Sequence, residues 1–123
     1  MTSKIIVVDD SRTARQQVRD ALADTGFEII EAVDGEDGLA KIAEQRGLSL
    51  VICDVNMPKM NGLEMLRALR QTQPAVNTPV VMLTTEGQPE LLQQAKQAGA
   101  RGWIVKPFKP ALLVAAVRKL VGA

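Results

Sequence analysis

Ile5-Ile6-Val7-Val8-Asp9-Asp10 is an unbroken run of β-branched residues that stops in two carboxylates. A strand with one face in water alternates apolar and polar residues. A run that is apolar throughout belongs to a strand covered on both faces, as in a parallel sheet flanked by helices. Leu50-Val51-Ile52-Cys53 repeats the pattern and stops in Asp54. Val80-Val81-Met82-Leu83 runs into Thr84, and Gly102-Trp103-Ile104-Val105 runs into Lys106. Ligands of open parallel sheets sit in the crevice beyond the carboxyl ends of the strands. The expected crevice is therefore lined by Asp9, Asp10, Asp54, a hydroxyl and an amine.

The segments between these runs have helical spacing. Ser11 suits the cap of a helix whose apolar positions are Ala14, Val18, Ala21 and Leu22, and Gly26 offers a left-handed stop. Phe27 to Ala32 reads as the second strand, and a turn at Asp34-Gly35 leads into a helix from about Glu36 to Gln45, closed by Gly47. Met57-Pro58-Lys59-Met60-Asn61-Gly62 is too punctuated to be regular; Leu63, Leu66 and Leu69 mark a third helix, with Pro74 beyond its end. Pro89 opens a fourth helix carrying Leu91, Leu92, Ala95 and Ala98, and Pro110 a fifth carrying Leu113, Ala116, Val117 and Leu120. Strict alternation of strand and helix implies an α/β, doubly wound, five-stranded parallel sheet, because each parallel crossover needs a helix. Residues 1–123 read as a single domain.

Composition narrows the function. Fifteen basic and 14 acidic residues give a net charge of +1 and are interspersed, which speaks against a nucleic-acid-binding face. The single cysteine, Cys53, lies within an apolar run and reads as a small buried hydrophobe. The N-terminus shows neither a membrane-length apolar stretch nor a signal-peptide cleavage pattern, so a cytoplasmic protein with no membrane partner is expected.

Several pieces of the chain, taken together, resemble the receiver domain of two-component response regulators, most closely the single-domain chemotaxis regulators. They are Val7-Val8-Asp9-Asp10-Ser11, Asp54-Val55-Asn56-Met57-Pro58, Asn61-Gly62, Thr84-Thr85-Glu86, Ala98-Gly99-Ala100 and Lys106-Pro107-Phe108. The resemblance covers essentially the whole chain and implies a flavodoxin-like strand order of 2-1-3-4-5.

The chemistry of the acids agrees with that resemblance. A small hard cation such as Mg²⁺ takes oxygen ligands, keeps several waters and uses one or two carboxylates together with a phosphate oxygen. Asp54 suits a nucleophile that accepts a phosphoryl group, with Lys106 offsetting charge on the phosphoryl oxygens. The resemblance refines these roles. It implies that Asp10, Asp54 and the backbone carbonyl of Asn56 ligate Mg²⁺, for which Mn²⁺ can substitute, while Asp9 acts through a water. It makes Thr84 and Trp103 the switch, with Trp103 where chemotaxis relatives often carry tyrosine. It gives Asn56, Thr85 and Glu86 control over the lifetime of the phosphorylated state. It also implies a cis peptide before Pro107, which helps aim the lysine.

The expected function is a phosphorylation-dependent signalling switch rather than a conventional enzyme. It takes a phosphoryl group from a sensor histidine kinase, of chemotaxis type, onto Asp54. The chain contains no histidine, so the phosphohistidine comes from another protein. Output is expected through protein contact by a monomer, using the face of helix four, strand five and helix five, with a phosphatase as a further partner. A phosphate-sink receiver is the nearest alternative. An aspartate-nucleophile phosphotransferase of the haloacid dehalogenase type is more remote: it expects a second acid two residues after the nucleophile, where this chain has Asn56. A flavodoxin-like electron carrier would share the fold, but its flavin phosphate would be repelled by an acid-lined crevice.

Overall fold

The structure, a computed structural model, describes residues 3–73, 77–85 and 89–121. Five strands and five helices alternate: β1 (Lys4–Val8), α1 (Arg12–Ala21), β2 (Glu28–Ala32), α2 (Gly35–Glu44), β3 (Leu48–Asp54), α3 (Gly62–Thr72), β4 (Val80–Thr85), α4 (Pro89–Gln97), β5 (Gly102–Lys106) and α5 (Pro110–Val121). All strand pairs are parallel, and the sheet order is β2-β1-β3-β4-β5. Among the described residues no helix is long and apolar enough to cross a membrane.

Alternation along each strand sends side chains into two separate cores. Ile6, Val8, Val51, Cys53, Val80 and Met82 face α2, α3 and α4, where Ile42, Leu66, Leu69 and Ala95 meet them. Ile5, Val7, Leu50, Ile52, Val81 and Leu83 face α1 and α5, against Val18, Leu22, Leu113 and Val117. The three central strands are buried on both faces, which is why their sequences are apolar throughout. Each fully buried Ile or Leu contributes about 1.5–3 kcal/mol from apolar burial alone. β5 lies at the edge and behaves differently: Trp103 and Val105 are exposed, while Ile104 packs inward.

Boundaries shift slightly from the sequence expectation. α2 starts at Gly35, because Asp34 caps it by accepting from Asp37 N at 2.8 Å, and it ends at Glu44 rather than Gln45. Phe27 precedes β2, whose pairing with β1 begins at Glu28 opposite Lys4. β3 begins two residues earlier than its apolar run, at Leu48, with a register irregularity between Lys4 and Ile5 of β1. Gly26 takes φ +83° after α1, in the left-handed region where a side chain is disfavoured. Pro74 lies outside the described residues.

Candidate functional site

The ends of β1, β3, β4 and β5 bring the site together. Asp9 follows β1 directly, its N–H donating to Ala32 O at 3.1 Å as the last rung of the β1–β2 ladder. Its carboxylate sits on the face of the sheet that continues from Val7. Asp54, the last residue of β3, lies on that face after Ile52, and Lys106, the last of β5, lies on it after Ile104. Alternation therefore aims three charged groups from three strands into one space. Carboxylate oxygens of Asp9, Asp10 and Asp54 lie within 4.8 Å of one another.

Burial is uneven. Asp9 is fully buried, Asp54 nearly so, and Asp10 is exposed at the mouth. Asp9 Oδ1 accepts from Ser11 N at 2.9 Å, and Asp9 Oδ2 accepts from Lys106 Nζ at 2.9 Å. Lys106 also stands 3.2 Å from Asp54 Oδ1. Burial and the negative charge of Asp9 push the Asp54 carboxyl above its ordinary range, against the opposing pull of Lys106 and the Asn56 N–H. Burial disfavours the charge on Lys106, but its hydrogen bond to Asp9 and the fields of Asp54 and Asp9 outweigh that and raise its pKa. One ammonium thus leaves the repulsion between the carboxylates partly unrelieved, which is the electrostatic demand a divalent cation meets. Three hard oxygen donors, one of them exposed, suit such an ion, and the cluster could hold a metal.

Thr84 is fully buried and its hydroxyl donates to Thr85 O at 3.0 Å. It lies on the opposite face from Asp54, the face of Met82, and its register partner on β5 is Val105. Trp103, opposite Met82, shares that face and is 47% exposed. Trp103 lines two surface grooves, one shared with Pro89, Leu92 and Lys96 of α4, the other with Lys109, Leu112 and Ala116 toward α5. Asn56 and Thr85 are exposed at the rim; Glu86 falls outside the described residues. The Lys106–Pro107 peptide is cis. Cys53 is buried and its thiol pKa is raised, by burial first and then by the charges of Asp54 and Asp9, which leaves it inert at neutral pH.

Two features at the site escaped sequence reasoning. Asn61 and Glu64 form a reciprocal capping box at the start of α3, with Glu64 N to Asn61 Oδ1 at 2.8 Å and Asn61 N to Glu64 Oε1 at 3.0 Å. This anchors the loop that leaves Asp54, and the Asn-x-x-Glu spacing was there to be read. Gly62 lies so close to that strand that a Cβ would stand 2.5 Å from Asp54 O and 2.7 Å from Met82 Cε. The second feature is Arg15 on α1, which donates to Asp9 O at 2.6 Å.

Comparison with known proteins agrees with this geometry. The family of response regulator receiver domains matches residues 5–118. The Rhizobium etli protein named Probable chemotaxis protein CheY is 40% identical over 121 residues, covering 98% of this chain and 93% of its own length. Chemotaxis protein CheY1 of Helicobacter pylori is 35% identical over 120 residues, covering 97% of each chain. Among solved structures, Vibrio cholerae chemotaxis protein CheY4 superposes with a TM-score of 0.89 at 42% identity, covering 98% of this chain and 99% of its own.

Proposed function

The chain belongs to the response regulator receiver domain family, and from that premise we propose that it is a chemotaxis-type receiver phosphorylated on Asp54 by a histidine kinase partner. As a receiver it is a phosphorylation-dependent signalling switch, not a conventional enzyme. The observation that carries the assignment of Asp54 is its placement at the end of a central strand, with Lys106 Nζ 3.2 Å from one carboxylate oxygen and two further acids beside it.

In the proposed transfer, an oxygen of Asp54 bonds to the phosphorus of a phosphohistidine as the phosphorus–nitrogen bond breaks. The imidazole leaves with the electron pair of that bond and takes a proton from solvent. Lys106 meets the negative charge of the phosphoryl oxygens, and its contact with Asp9 Oδ2 holds the ammonium in place for that task. Mg²⁺, with Mn²⁺ as substitute, would be held by Asp10, Asp54 and the Asn56 carbonyl, and would supply further positive charge at the phosphoryl oxygens. Both Asp9 oxygens already accept hydrogen bonds from the protein, which supports a role for Asp9 through water rather than as a direct ligand.

The output arm of the proposal runs through Thr84 and Trp103. The Thr84 hydroxyl gives up Thr85 O for the phosphoryl group, and Trp103, on the same face of the sheet, re-packs. Exposed Trp103, Val105 and Leu112 make the surface of α4, β5 and α5 an apolar landing place for a target protein. Asn56 and Thr85 at the rim, together with Glu86, would set how water reaches the phosphoryl group. Action by one domain, in the cytoplasm where its kinase presents phosphohistidine, completes the reading.

The test is phosphorylation by acetyl phosphate with Mg²⁺, followed by intact mass. Wild type gains one phosphoryl group, and Asp54→Asn gains none. Full labelling of Asp54→Asn would overturn the assignment of the acceptor.

A further inference from the structure

Arg15 lies one turn into α1 and its side chain is largely buried against the edge strand β2. Its Nε donates to Glu31 Oε1 at 3.0 Å, which turns Nη1 toward the end of β1, where it donates to Asp9 O at 2.6 Å. Arg19, one helical turn further on, holds the other carboxylate oxygen of Glu31 through Nε at 3.1 Å and Nη2 at 2.9 Å, and also reaches Ile29 O. Burial alone would raise the Glu31 carboxyl, but the hydrogen bonds and charges of both arginines lower it and keep it ionised.

The acceptor of the Arg15 bond is what gives it consequence. Asp9 is fully buried, so its carbonyl needs a partner. The β1–β2 ladder does not supply one: β2 ends at Ala32, whose carbonyl accepts from Asp9 N, and Asp34, whose amide a continued parallel ladder would bring to Asp9 O, turns away to cap α2. The guanidinium takes the place of the missing rung. The carbonyl of Asp9 and the N–H of Asp10 belong to one rigid peptide plane. Asp10 is exposed, so side-chain packing does not hold it, and the tilt of that plane decides where its carboxylate stands relative to Asp54.

We propose that Arg15, clamped by Glu31, is a positioning residue for the acidic cluster, orienting the Asp9–Asp10 peptide so that the Asp10 carboxylate is placed for a divalent cation. The inference rests on the reading of the cluster as a metal site. Arg19 provides the control, since it shares Glu31 but does not touch Asp9.

Magnesium titration by calorimetry on the full chain tests it with Arg15→Met, Arg15→Lys and Arg19→Met. Arg15→Met should weaken Mg²⁺ binding about tenfold, the range for partners that orient metal ligands, and Arg15→Lys should recover part of that loss. Arg19→Met should lower the melting temperature but leave Mg²⁺ affinity near wild type. A metal-free readout accompanies it: the Asp10 amide ¹⁵N shift should move in Arg15→Met and stay in place in Arg19→Met. Wild-type affinity and an unmoved Asp10 amide in Arg15→Met, or equal effects in both arginine variants, would overturn the proposal. No binding by wild type itself would instead overturn the metal-site reading, while the Asp10 shift still decides whether Arg15 orients the peptide.

Discussion

Lys106 donates to Asp9 Oδ2 at 2.9 Å, joining residues 97 positions apart in the chain and tying the edge strand β5 to the centre of the sheet. The contact spans the site from one side to the other, and Asp54 lies within 3.2 Å of the same ammonium. One amine is thus shared by two buried carboxylates. The imbalance has consequences for stability, for metal binding and for signalling.

Removing the Asp54 charge should stabilise the metal-free protein at neutral pH. Its folded pKa lies above the usual 3.8, from burial and then Asp9, so in the window just above 3.8 the folded state holds a proton that the unfolded chain has lost. Stability therefore falls as pH rises through that window, and the deficit persists above it. Asp54→Asn should melt higher than wild type at pH 7 in EDTA, and the gap should close as pH falls below the unfolded value. Melting curves across pH decide this; a variant no more stable than wild type at pH 7 would contradict the sign.

Magnesium should raise the melting temperature of wild type. At a free concentration 100 times Kd, mass action contributes about 2.7 kcal/mol. For a chain of this size that corresponds to a rise of roughly 10 °C. Asp10→Ala should lose most of the rise, and EDTA should reverse it in wild type. An equal rise in Asp10→Ala would remove Asp10 from the ligand set.

Trp103 should report activation. Its indole is exposed in this state, so beryllofluoride with Mg²⁺ should change its emission as the ring re-packs. Thr84→Ala removes the hydroxyl that now donates to Thr85 O and should shrink the response at equal beryllofluoride occupancy. An unchanged spectrum in phosphorylated wild type would move the switch elsewhere.

Gly62→Ala should destabilise the fold by about 2–3 kcal/mol, the upper part of the range for single substitutions. The new methyl would meet the backbone carbonyl of Asp54 at 2.5 Å, and backbone cannot step aside as a side chain can. Urea denaturation measures the loss, and a variant as stable as wild type would show that the β3–α3 loop is slack.

Much of this protein was legible in one dimension because its signals are local. A strand buried on both faces must be apolar throughout, so β1, β3 and β4 announced themselves, and whatever polar residue ended each run had to stand at the rim of the sheet. That put Asp9, Asp10 and Asp54 at one end of the sheet, where their carboxylate oxygens lie within 4.8 Å of one another, and helical spacing located all five helices to within a few residues. Tertiary structure alone decided the partners. Whether Lys106 meets Asp54 only or Asp9 as well depends on how far β5 lies from β1 across the sheet, a distance no periodicity encodes. The exposure of Trp103 follows from β5 being an edge strand, since the same apolar pattern in a central strand would have buried it. No local pattern singles out Arg15; only the crossing of α1 over β2, and the ending of the β1–β2 ladder at Ala32, gave its guanidinium the Asp9 carbonyl. Local patterns record what a residue is surrounded by, apolar core or water, whereas the identity of a polar partner is set by chain crossings that bring distant segments within hydrogen-bond reach.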